Sequence, residues 1–273
     1  MLKFGKLKTM NFVTPKVFLI GETKLVEDGL QAALTELGVP DWESINPSSQ
    51  AGVLVEFAGK SCYNSFDTSL NKNLTKTGTR DNFAYIQEGI IGKSHGSVLE
   101  HATVTFFIKD VSRVVTHEIV RHRAGTAFSQ TSGRYVRTDH IDMYLPKDLA
   151  ENDEASGIFM EAIEYMETAT KKLAEVVGLN KMSQSFDFKK KVTSAIRRII
   201  GNGQANNLVL TANHRAWRHM IEMRTDRHAE EEIRLVFSKI FFELVNRYPE
   251  FYDDHSIEVV DDISEIKFIN SKV

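Results

Sequence analysis

Two stretches of this sequence gather arginine and histidine at spacings that suit an anionic ligand. Residues 112–137 read SRVVTHEIVRHRAGTAFSQTSGRYVR. Arg113, His117 and Arg121 recur every fourth residue, so on a helix they share one face. Arg121, His122 and Arg123 are consecutive and fan outward where that helix gives way to a small-residue loop. Arg134 and Arg137 return after it. A guanidinium presents planar, paired donors that match phosphate. A loop of Gly, Ser and Thr lets backbone N–H groups and hydroxyls approach phosphate oxygens closely. This pattern predicts a nucleotide-phosphate site. A solvated basic helix end, favoured by the helix dipole, accounts for the same spacing without a ligand.

Residues 213–234, NHRAWRHMIEMRTDRHAEEEIR, form the second stretch. Arg215, His219 and Glu222 fall on one helical face, and Arg224 and His228 are four apart near another. The plain reading is an ion-paired surface helix, with Arg218 against Glu222. Trp217, Met220 and Met223 argue instead for burial. Arginines beside buried positions need partners, because unpaired buried charge is costly. A third group, His95-Gly96-Ser97-Val98-Leu99-Glu100-His101, holds two histidines and a carboxylate, with His117 further on. Its spacing matches no zinc pattern, and the one cysteine, Cys62, leaves no CxxC pair. No metal is expected.

The elements that must position these groups are legible from periodicity. Pro15 to Gly21 is an apolar run ending in Gly, a predicted strand. Leu25 to Leu37 reads as a helix stopped by Gly38 and Pro40. Residues 64–82 read as an exposed polar loop, and Ala84 to Gly92 as a short helix. In Ala102 to Val111, Val104, Phe106 and Ile108 alternate with Thr103, Thr105 and Phe107, the clearest strand in the chain. Ser112 then caps a helix to about Arg121. Ala124 to Gly133 reads as a loop. Helices follow over Ser156–Val177, Phe186–Ile200, Ala212–Arg224 and Ala229–Val245, the first two ended by Gly178 and Gly201. The fold class is α+β, in one domain over 1–273. Within it, 1–50 is an N-terminal strand-helix extension and 255–273 a C-terminal tail.

Composition excludes several functions. Net charge is -3 over 273 residues, and the arginine clusters lack interleaved aromatics. Both features disfavour a nucleic-acid partner. No apolar run approaches the roughly 20 residues that cross a bilayer, and the first residues lack the pattern of a signal peptide. A reducing, cytoplasmic compartment is expected from the lone cysteine. Neither GxGxxG, GxxxxGK[ST] nor GxSxG occurs, so a bound nicotinamide or flavin would not use a Rossmann fingerprint.

Arg121-His122-Arg123, followed after eight residues by Ser132-Gly133-Arg134-Tyr135, resembles the signature of the flavin-dependent thymidylate synthases (ThyX). The HGSVLEH segment is similar to the family's segment before that signature. Residues 195–234, with the NHRAWRHMIEMR run, resemble its C-terminal block. The resemblance implies a small mixed or antiparallel sheet packed by several long helices, and a homotetramer. It implies FAD contacts from Ser97, Arg121, His122, Arg123, Gln130, Asn213, His214, Arg215, His219 and His228. It implies a dUMP site lined by Glu118, Arg121, Gln130, Thr131, Ser132, Gly133, Arg134, Arg197 and Arg224. Arg134 and Arg197 would hold the phosphate, and Arg224 would act catalytically by stabilising charge at the uracil edge. Three positions depart from the family pattern. Glu118 stands where Gln is usual, the gap before Ser132 is eight residues rather than seven, and Gly201 replaces a common Pro.

The reaction implied is reductive methylation of dUMP to dTMP. FAD, NADPH and methylenetetrahydrofolate take part, and the cofactors carry the hard chemistry. No cysteine nucleophile is required, so Cys62 reads as structural. Two alternatives use the same residues. A non-catalytic nucleotide or RNA-binding module would use the arginines, with strong salt dependence. A metal-dependent hydrolase would use the histidines.

Overall fold

The computed structural model describes residues 12–66, 80–136 and 140–273; Arg137 and most of the polar 64–82 loop lie outside them. Alternating β-branched and aromatic residues extend Lys16–Glu22 (β1) and Thr103–Ser112 (β2). Along β2, Val104, Phe106 and Ile108 are buried. Thr126–Gln130 (β3) and Ala205–Asn213 (β4) complete a four-stranded sheet of order β1-β2-β4-β3. Cross-strand partners fix its sense. Thr23 N–H donates to Thr103 O, and the Thr105 and Thr211 hydroxyls lie 2.9 Å apart. Asp110 N–H donates to Asn207 Oδ1 at 3.1 Å. Thr131 N–H donates to Asn207 O, and Asn213 N–H to Gly125 O. Phe18 also stacks on Phe107, so between each pair of neighbouring strands one number rises as the other falls, and they are antiparallel.

β3 corrects the sequence reading, which made Ala124 to Gly133 a loop. Its small polar composition carries no strand signal. Ladder bonds to β4 satisfy its backbone, and its side chains alternate between exposed and half-buried.

The longer helices are Glu27–Glu36 (α1), Gln50–Tyr63 (α2), Arg113–Ile119 (α3), Asp153–Val176 (α4), Phe186–Ile196 (α5), His214–Thr225 (α6) and Glu231–Arg247 (α7). Caps explain their starts. Ser49, Ser112, Asn152, Ser185, Asn213 and Glu230 each accept a backbone N–H of the first turn. Periodicity did not reveal α2, which contains Cys62. A helical stretch over Asn82–Ala84 widens into a π-helix at Tyr85–Ile91.

The chain divides into two compact units. One comprises residues 12–16, 108–121, 128–136 and 140–209. Its core gathers Ile141, Met143 and Ile163, with Phe159, Met166 and Ile200 packed against them. A second cluster joins Ala174, Leu179 and Ile196 with Val192.

The other unit comprises residues 17–66, 80–107, 122–127 and 210–273. Its core holds Phe106, Trp217, Ile233, Phe237, Ile240, Phe241 and Leu244, all fully buried. Each such side chain contributes about 1.5–3 kcal/mol by leaving water. The Trp217 ring meets Phe106 edge-on at 5.3 Å, and its Nε1 donates to Val104 O.

The region read as a C-terminal tail is ordered structure of this unit. His255–Val260 (β5) and Ile263–Phe268 (β6) form an antiparallel hairpin. Asp261 and Asp262, at positive φ, make its two-residue turn. A turn lacking glycine, and strands rich in Glu, Ser and Lys, hid it.

Candidate functional site

Each unit carries part of the predicted site. In the unit containing α6, strand β4 ends at Asn213, whose side-chain oxygen accepts Ala216 N–H at 2.8 Å and starts the helix. The Asn213 amide lies against Gly125, where a Cβ would collide with it; Gly125 is also at φ 68°. A glycine is therefore required there on both grounds. His122, three residues earlier, receives the Nε proton of Arg224 on its Nε2 at 2.8 Å. An arginine only donates, so Nε2 of His122 is unprotonated and the ring is neutral. Burial, then the Arg224 charge and His219, lower the imidazole from its usual 6.5 to about 4. His219 meets the His122 ring edge-on at 5.9 Å.

Arg224, His219, Glu222, Met223, Asp226 and His228 line one cavity of about 530 Å³. His228 is not on α6, which ends at Thr225; it lies in the following turn, where its N–H donates to Asp226 Oδ1. Arg123, Ser97 and His219 are exposed. Arg215 pairs with Glu100 at 2.6 Å. Gly96 lies against the Val273 backbone and the Arg215 side chain, where a Cβ would collide.

Two predictions for α6 change. Arg218 does not pair with Glu222. It is buried and grips Asp254 with both Nη atoms, at 2.6 and 2.9 Å, while its face covers the Phe268 ring at 4.1 Å. His214, implied as a flavin contact, is fully buried among Tyr248, Phe251 and Tyr252. Its Nδ1 lies 2.8 Å from the Tyr252 hydroxyl, and its Nε2 is buried with no protein partner. Desolvation lowers its pKa to about 3. Such a ring presents no atom to a ligand.

In the unit containing α4 and α5, β3 delivers Gln130, whose amide donates to Thr116 Oγ1 at 3.0 Å. Thr131 and Ser132 follow, and Ser132 O accepts from both Tyr135 and Val136 N–H. This turn places Gly133 against Arg197, with a glycine Cβ position 3.4 Å from the arginine side chain. Gly133 and Arg197 line a cavity of about 60 Å³ with Val136, Ile196, Ile200 and Gln204. Arg134, the other phosphate candidate of the sequence reading, lines a cleft along α5. Arg121 lies just past α3 and is exposed, with its N–H on Glu118 O. Glu118 is half-buried. Among the described residues, no three His, Cys, Asp or Glu side chains converge as a metal group would.

The thymidylate synthase complementing protein family model matches residues 45–250. The flavin-dependent thymidylate synthase of Mycobacterium leprae is 35% identical over 84% of this chain and 90% of its own length. That of Corynebacterium aurimucosum is 33% identical over 83% and 88%. The chain belongs to the flavin-dependent thymidylate synthase family. Solved structures agree on the fold. A UMP/dUMP methylase from Streptomyces cacaoi, bound with 5-Br dUMP, superimposes with a TM-score of 0.60 at 16% identity, over 89% of this chain and 96% of that one. Thymidylate synthase X from Helicobacter pylori, with FAD and dUMP, gives 0.51 at 18% identity, over 74% and 93%.

Within this flavin-dependent thymidylate synthase fold, His122, Arg224, His219 and His228 gather in one unit. Gln130, Ser132, Gly133 and Arg197 gather in the other. Sequence reasoning missed Gly125 and Thr116, and weighed Glu100 as a metal ligand rather than as the partner of Arg215. Gly125 alone left a signal, as a glycine beside the RHR run. No helix among the described residues is long and apolar enough to cross a membrane.

Proposed function

We propose that this protein converts dUMP to dTMP, taking a one-carbon unit from methylenetetrahydrofolate and reducing equivalents from NADPH through FAD. The observation that carries this reading is the Arg224–His122 hydrogen bond at 2.8 Å, which joins the end of α6 to the RHR run. A neutral His122 fixes the Nε edge of Arg224, and so sets the plane in which the guanidinium can meet a ligand. A positive charge held in that plane beside a uracil ring favours the anion that forms when C5 becomes nucleophilic.

The residues fit a flavin. The Gly125–Asn213 contact brings the chain after RHR close to the start of α6, with no Cβ between them. Exposed Arg123 and His219 supply donors on the same unit, and Arg215 is a further donor there. When bound, the flavin supplies hydride transfer. Gly133 admits Arg197 beside the Ser132 turn, and this pair with Gln130 and Thr131 is our dUMP-binding set. Ser97 and His228 are further flavin candidates; Glu118 and Arg121 are candidates for the nucleotide. His214 is dropped because it is enclosed. We read the chain as one domain, since β2 and β4 supply residues to both units. A homotetramer acting in the cytoplasm is part of the same proposal.

The test is a visible spectrum of the purified protein with FAD, then dUMP, followed by a dTMP assay. A flavin spectrum that shifts on dUMP addition, with dTMP formed only when NADPH and methylenetetrahydrofolate are present, is the expected result. Absence of flavin binding overturns the reading.

A further inference from the structure

Apart from Arg134, which the family resemblance assigns to the dUMP phosphate, the cleft along α5 has no part in the reaction as described, yet it concentrates charge. Arg134, Lys190, Lys191 and Arg198 line it with Ser194 and one carboxylate, Asp187, around about 450 Å³. Among the described residues, none of these four cations has a carboxylate within ion-pair distance. Four cations facing one open volume create a positive potential that an anion relieves.

An aromatic surface adjoins them. Tyr135 and Phe186 stack at 6.5 Å and 26°, and both are exposed, at 56% and 69%. Lys190 Nζ sits 4.9 Å over the Tyr135 ring. Exposed stacked rings beside a cationic row fit a ligand with a flat ring and several anionic groups. The row has a repeat. Lys190, Ser194 and Arg198 succeed one another every fourth residue, about 6 Å apart along the helix. A chain of γ-linked glutamates repeats its carboxylates at about the same interval, from five backbone bonds of roughly 1.5 Å each.

We infer that this cleft binds the oligo-γ-glutamate tail of the folate carbon donor, with its p-aminobenzoyl ring against Tyr135 and Phe186. The inference rests on the donor assigned under the proposed function. A single dianionic phosphate would leave most of the row unmatched. The 2′-phosphate and adenine of NADPH present the same ring-plus-anion chemistry, so the test separates the two.

The measurement compares KM for monoglutamyl and pentaglutamyl methylenetetrahydrofolate in the wild type and in K191E/R198E. Both substituted side chains are exposed, so the variant should fold. In the wild type the pentaglutamate should lower KM by about fivefold or more, as expected for two or three surface ion pairs. In the variant that advantage should vanish, while kcat and KM for the monoglutamate stay unchanged. A fluorescently labelled penta-γ-glutamate should bind the wild type by anisotropy, weaken with added salt, and bind the variant at least tenfold less well. Equal KM values for both donors, with no peptide binding, overturn the inference. So does a variant whose change falls on KM for NADPH relative to NADH. Should no donor yield dTMP, the proposed function fails, and the peptide anisotropy still decides the cleft.

Discussion

Arg224 donates its Nε proton to Nε2 of His122 across 2.8 Å, which locks that histidine as the neutral, Nδ1-protonated tautomer. Nitrogen-detected NMR of ring-labelled protein should show this tautomer at pH 7. The folded pKa, about 4, lies below the free value of 6.5. Protonation therefore favours the unfolded chain. Stability from this group is complete above about pH 6.5 and is lost as pH falls toward 4. A ring titrating near 6.5 would show that the Arg224 bond is not made in solution.

Arg218 tests whether the α6 motif is all ligand chemistry. R218A leaves Asp254 buried without its cation, and should destabilise by about 3–5 kcal/mol in urea unfolding. R218K keeps the charge but loses the second arm, so it should cost less and still leave a measurable loss. An R218A protein of wild-type stability would refute the buried pair.

His214 separates the structural reading from the resemblance. H214F should retain flavin binding, because the ring is fully buried against Tyr248, Phe251 and Tyr252. It leaves the Tyr252 hydroxyl without its partner, at a cost of about 1–3 kcal/mol. H214F/Y252F should recover most of that cost. Because the folded His214 value is about 3, the wild type loses stability from pH 6.5 down to 3. Both variants should lack that component of the acid slope. A large loss of flavin affinity in well-folded H214F would restore His214 to the site.

The sequence carried the buried elements well and the edge elements poorly. Val104, Phe106 and Ile108 announced β2, and the Ile233-to-Leu244 pattern announced α7, because packing on one face imposes a period. Ser112 was legible as a cap because its hydroxyl acts locally. By contrast β3 is held by backbone bonds to β4, to which side-chain type is nearly indifferent. The β5–β6 hairpin shares that property, and its charged outer face obscured it. The arginine clusters were legible as residues, but their division of labour was not. Arg218 and Arg224 are indistinguishable in composition, and only Asp254 and His122, distant in sequence, assign one to the core and the other to the site.

Gly125 gives a backbone prediction. G125A forces alanine to φ 68° and drives its Cβ into the Asn213 amide that caps α6. Strain and cap loss together should cost about 2–3 kcal/mol. Thermal unfolding measures the cost, and flavin affinity should fall with it. G125A at wild-type stability would contradict the observed turn.

Cys62 is exposed on α2, its thiol donating to Ala58 O. C62A should keep the dTMP-forming activity in the same assay. Complete loss in a folded variant would point to a thiolate mechanism and away from the proposed one.

The Arg218 pair also bears on how the protein is made. Helix α6 leaves the ribosome well before Asp254, Phe268 and Asn270, yet it needs all three to bury its guanidinium. Until synthesis reaches residue 270, the nascent α6 can set Trp217 against Phe106 but carries a guanidinium without its full set of burial partners. This unit therefore completes its packing only after residue 270 has been made, so the closing of this core contact waits on the β5–β6 hairpin.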